Sequence, residues 1–186
     1  MTSLIESFRG EFLRHKALAE AAMAQLDEAE LSAADPSGSN SVVVICRHIA
    51  GNLRSRFTDF LTSDGEKPWR HRDEEFEERA ITPEALVEQW DAGWNVLLQT
   101  LASLTDDQVY STVTIRQQTL TVHEALSRSL AHLSYHVGQI VYIAKAQRGE
   151  NWKCLSIPRG ASDAVNRSPK AAESSSRQAA TGGGTT

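Results

Sequence analysis

Long apolar runs are missing from this chain. No stretch approaches the roughly 20 residues that span a bilayer, so no membrane-crossing helix is expected. Basic runs are missing too. Lys and Arg number 19 against 24 Asp and Glu, a formal net charge of −5 over 186 residues. A nucleic-acid groove needs a cationic footprint, so nucleic acid is not the expected partner. Cysteine is scarce: Cys46 and Cys154 cannot build a disulfide framework, and a reducing cytoplasm fits best. The opening MTSLIESFRGEF carries acids early and lacks the apolar core of a secretory signal. No repeat of roughly 20–50 residues is visible.

What is present is helical periodicity. Hydrophobic content of 40% and charged content of 23% are ordinary for a globular chain with one core. Four long amphipathic segments fall at 3–27, 41–62, 83–104 and 122–147. The first places Leu4, Phe8 and Phe12, then Leu18, Ala22 and Leu26, on one stripe. The second does so with Cys46, Ile49, Leu53, Phe57 and Phe60, after a DPSGSNS loop that offers an N-cap. Thr82-Pro83-Glu84 is a helix start, and Leu86, Trp90, Trp94, Leu97 and Leu101 follow as a core face. Thr121 and Glu124 form a capping-box pattern ahead of the fourth segment. Before it, STVTIRQQTLTV alternates β-branched residues and reads as a short hairpin or an extended connector.

This pattern predicts an all-α fold, a four-helix bundle. The domain runs over 1–160. Residues 161–186 are rich in Ser, Ala, Gly and Thr, carry no aromatic, and read as a disordered tail. The segment SDGEKPWRHRDEEFEERAI is broken by Gly65 and Pro68, and its acids at 73–78 are expected to be a solvated surface, as is Asp59. Trp69 and Trp152 lie outside the helices, where aromatics tend to cover a pocket mouth or anchor a partner.

The chemistry lies in histidine spacing. His132 and His136 stand four apart, on one flank of the fourth stripe with Ser129, Gln139 and Ile143. Residues at i and i+4 share a helix face, so two imidazoles can reach one ion at about 2.0–2.1 Å. His48 occupies the matching position on the second segment, aligned with Val44, Ile45, Asn52 and Ser55. A third imidazole would complete a site with an open position. Spacing alone fits a polar helix shoulder equally well, since six histidines yield one such pair by chance without difficulty. Asn52 and Gln139 are candidates to hydrogen-bond ligating imidazoles, a support such ligands usually need. No residue is assigned a catalytic role. Gly138 reads as a close helix approach or as chance. Cys46 lies on the core side, Cys154 has no partner pattern, and His15, His71 and His123 are taken as surface residues.

One histidine on the second helix and H-x-x-x-H on the last is the pattern of the DinB/YfiT-like superfamily of metalloenzymes, matched here by His48 with His132-Leu-Ser-Tyr-His136. The strings RHIAGNLRSRFTDFLTSDGEKPWRHRDEEFE, LAHLSYHVGQIVYIAK and WKCLSIPRG resemble an uncharacterised bacterial subfamily of it, over roughly residues 5–160. The resemblance implies a four-helix bundle in which His48, His132 and His136 hold a divalent nickel or zinc ion. It also implies a homodimer and, for some members, a low-molecular-weight thiol cosubstrate. A thiol-dependent S-transferase or detoxification-type activity is the expectation. Metal-dependent hydrolysis, or a non-catalytic, metal-stabilised, stress-related binding module, is the alternative.

Overall fold

The computed structural model describes residues 3–34 and 38–167. They are mostly helical: α1 (Leu4–Met23), α2 (Glu28–Ser32), α3 (Val42–Phe57), α4 (Pro83–Ser103), α5 (Val122–Arg148) and α6 (Ser162–Arg167), with one two-stranded sheet of β1 (Thr112–Ile115) and β2 (Gln118–Thr121). No described helix is long and apolar enough to cross a membrane.

The helix starts follow local chemistry. The Ser41 hydroxyl accepts from Val44 N at the head of α3, and Thr82 accepts from Ala85 N ahead of Pro83. Thr121 and Glu124 complete a reciprocal capping box on α5. Helix α1 gains a distant anchor as well. The Asp106 carboxylate accepts from Ser3 Oγ, Leu4 N and Ile5 N at 2.8–3.0 Å, which suits the positive end of the helix dipole.

Helices α3 and α4 pack closely, as do α1 and α5. Gly93 explains the first approach: a Cβ there would stand 2.7 Å from the Ala50 backbone. Gly138 has no such role, because nothing lies within 4 Å of the Cβ it lacks. Phe12, Trp94, Leu97, Leu126 and Ile140 are fully buried in the core between the long helices.

Helix α3 is shorter than the expected 41–62. Thr58 is extended and Asp59 takes φ 50°, so the chain turns out of the helix. Phe60 still returns to the core, at 5% exposure, which is why the apolar stripe runs on in the sequence past the end of the helix. The loop beyond is not a solvated spacer. Ser55 Oγ donates to Gly65 O, and Gly65 N donates to Thr114 O, tying the loop to β1. The β1–β2 connection is a hairpin pairing Thr112 with Thr121 and Ile115 with Gln118. Its turn residues Arg116 and Gln117 both adopt positive φ, 52° and 62°. The Asp64 carboxylate accepts from both of their N–H groups at 2.8 Å, which offsets the cost of that backbone.

Part of the segment read as a disordered tail, Ser162–Arg167, is a short helix in which nothing is buried. Its first turn is a local Val165 N–Ala161 O bond that needs no apolar anchor. Residues 168–186 of that segment lie outside the described residues.

Candidate metal centre

Helix α3 carries His48, and α5 carries His132 and His136 one turn apart. The structure brings the three together: one ring nitrogen from each lies within 4.8 Å of the others. His48 Nε2 and His132 Nε2 are 3.2 Å apart. Two nitrogens bound tetrahedrally to one zinc ion stand roughly 3.3 Å apart, given Zn–N bonds of about 2.0–2.1 Å. His48 is 3% exposed and His136 8% exposed, while His132 is half-buried.

The far sides of two rings are occupied. Glu75 Oε2 accepts from His48 Nδ1 at 2.9 Å, and Gln139 Oε1 accepts from His136 Nδ1 at 2.8 Å. A carboxylate or amide oxygen at Nδ1 fixes the proton there in the neutral ring. Nε2 of each is then a bare lone pair. A proton on His132 Nε2 satisfies only one of the two, which leaves a lone pair open to a cation. Burial pushes His132 down to about 3, and the neighbouring His136, His48, Arg70 and Arg56 add to the fall. Burial lowers His136 too, partly opposed by its bond to Gln139. Neutral imidazole is the form that ligates, so the residues present fit a divalent ion.

Glu75 corrects the reading of residues 73–78 as solvated acids. Its side chain is only 12% exposed, against 101% for Asp73 two residues earlier. Burial alone would raise its pKa, but hydrogen bonds to His48 and Arg70 outweigh that and hold the carboxyl below its ordinary value. Arg70 grips it with Nε and Nη2 at 2.8 and 2.9 Å. Glu75 reaches His48 from the 3₁₀ turn Arg72–Phe76 because Gly51 leaves room. A Cβ at Gly51 would meet Glu75 Oε1 at 2.2 Å. That glycine, one turn after His48, was the local signal for this contact. The charge run that hides Glu75 gave none.

The other expected residues divide. Asn52 lines the same cavity but makes no hydrogen bond to the three rings among the described residues. Gln139 does bond one of them, although it is exposed. Cys46 is sealed in the core, and burial pushes its thiol well up. His71 and His123 are exposed. His15 is half-buried, its Nδ1 2.8 Å from Glu11 O and its Nε2 3.0 Å from Ser134 Oγ on α5, away from the site. Trp69 stands outside the cavity lining, 43% exposed under the Arg54 guanidinium. Tyr135, 55% exposed, lies edge-on to His132 at the cavity rim instead.

The cavity beside the histidines measures about 360 Å³, enough for a small molecule. No curated protein and no solved structure matches the chain. A family model does match, over residues 1–161, that of a protein of unknown function, DUF1572. With 161 of its 186 residues inside that model, the chain belongs to the DUF1572 family.

Proposed function

We propose that this chain is a divalent-metal-dependent enzyme whose ion is held by His48, His132 and His136. The observation that carries the reading is the convergence of their ring nitrogens, with Nδ1 of His48 and His136 already taken by Glu75 and Gln139. The four long helices α1, α3, α4 and α5, and the one-plus-two distribution of histidines over α3 and α5, support a four-helix bundle of the DinB/YfiT-like type.

A divalent ion on three neutral imidazoles supplies Lewis acidity and lowers the pKa of a thiol or water in its open position. The protein's own contribution is positional. Glu75, itself clamped by Arg70, orients the His48 ring. Gln139 orients His136. Phe76, with its ring centroid 4.7 Å from that of His48, covers one side. All three histidines and Phe76 line the cavity, which gives a small substrate access to the ion.

Within this reading we favour thiol-dependent S-transfer with a low-molecular-weight thiol, nickel or zinc as the ion, and a homodimer, as the resemblance implies, in the cytoplasm that the scarce cysteines suit. The test is a thiol-transfer screen on metal-loaded and metal-free protein, with light scattering for the dimer. Turnover that needs metal and thiol together supports the proposal. Equal rates with and without metal overturn it, and metal-dependent ester cleavage without thiol makes the protein a hydrolase.

A further inference from the structure

The chain is acidic overall, with a net charge of −5, yet the cavity at the three histidines is lined by five arginines: Arg56, Arg70, Arg72, Arg116 and Arg128. Among the described residues no carboxylate lines it. Acids hold some of these arginines from behind. Arg56 and Arg116 share Glu66, and Arg72 has Asp73 at 3.6 Å. Arg128 has no ion pair among the described residues.

Arg70 is the most constrained of the five. Its side chain is 2% exposed, and Nε and Nη2 are spent on Glu75. Its third nitrogen, Nη1, is buried without a hydrogen-bond partner. A second orphan lines the same cavity: Ser129 Oγ, on the α5 face that carries His132 three residues on, is also buried and unpaired. A buried donor without an acceptor costs free energy, more so when it is charged. Two such donors, and an arginine without an ion pair among the described residues, line one cavity and suit an anionic acceptor.

We propose that this cavity binds a small organic carboxylate as substrate, its carboxylate taken by Arg70 Nη1, Ser129 Oγ and Arg128. The inference rests on reading the three-histidine cavity as an active site and names the class of molecule that enters it. Arg70 Nη1 and Ser129 Oγ can each donate to one oxygen of a planar carboxylate. Phe57, Phe60 and Phe76 on the lining give the organic body an apolar surface.

Calorimetric titration of the protein as purified, and of zinc-loaded protein, with succinate, succinamide and inorganic phosphate tests this. Succinate binds in the expected result, and the neutral succinamide binds at least about tenfold more weakly, the scale of one hydrogen bond to a charged group. Ser129→Ala weakens succinate about tenfold and Arg128→Gln about threefold, with zinc stoichiometry unchanged in both. Arg70→Gln weakens it further; should that variant fail to fold, the other two carry the test. Equal affinity for succinate and succinamide overturns the proposal. So do variants that bind succinate as the parent does, or phosphate binding more tightly than succinate. Zinc uptake without succinate binding sinks this inference and leaves the metal reading standing; succinate binding without zinc uptake does the reverse.

Discussion

Cys46 and His48 stand two residues apart on α3, at 1% and 3% exposure, yet they occupy opposite surroundings. Cys46 touches Met23 Sδ at 3.1 Å inside an apolar core, where burial keeps its thiol protonated and inert. His48 meets Glu75 on one side and two more imidazoles on the other. Burial alone therefore makes no site. The difference lies in how α3 is packed. Toward α4 it is pressed backbone to backbone at Ala50 and Gly93. Toward α5 its packing is sparser, and the cavity lies between them. One face of the helix packs against its neighbour, and the other lines the cavity that holds the three histidines.

The largest effects should come from attacking the packed face. Trp94→Ala removes a fully buried side chain and should cost about 3–5 kcal/mol, as large-to-small core changes do. The molecules that stay folded should bind metal as before. Denaturant melts and metal analysis on the same samples check this. Loss of metal at full helicity would mean that the two faces are not separable.

Glu75→Gln strikes where the faces meet. It keeps the shape but takes the charge from a buried Arg70 and weakens the hold on His48. Metal affinity should fall by about 10–100-fold, the usual scale for a group that orients a ligand, and the melting temperature should fall with it. Gln139→Ala should lower metal affinity less, because Gln139 is exposed and water can replace its oxygen. Competition with a chromophoric chelator ranks the two, and the reverse order would break the account.

How far the sequence discloses these faces depends on how local the cause is. Helix starts are legible because Thr82-Pro83 and the Thr121/Glu124 box act within one turn. The histidine pair is legible for the same reason, since i and i+4 share a face wherever the helix sits. The end of α3 is not, because Phe60 keeps the helical spacing after the chain has turned at Asp59. Glu75 is the least legible. It looks like its solvated neighbours, and only the tertiary fold brings it to a ring 27 residues away. The cavity's arginines are scattered from 56 to 128, so no window of sequence collects them.

A smaller effect belongs to the loop that frames the cavity. Asp64 is held below the ordinary carboxylate range, first by its bond from Glu66 N and then by those from the hairpin turn. A lowered folded pKa contributes stability above the unfolded value of about 3.9 that is lost as pH falls through the folded one. Asp64→Asn should therefore be modestly less stable than the parent near neutrality, with the gap closing in acid. Melting curves from pH 7 down to pH 3 show whether it closes; a gap that stayed constant would remove the charge from the explanation.

The most direct test is the metal content of untagged protein and of its His48→Ala, His132→Ala and His136→Ala variants, each checked for helicity by circular dichroism. The expected result is about one divalent ion per chain in the parent and its loss in each variant, with helix content retained. A parent without stoichiometric metal, or a His48→Ala protein that keeps it, would contradict the claim that these three histidines form one site.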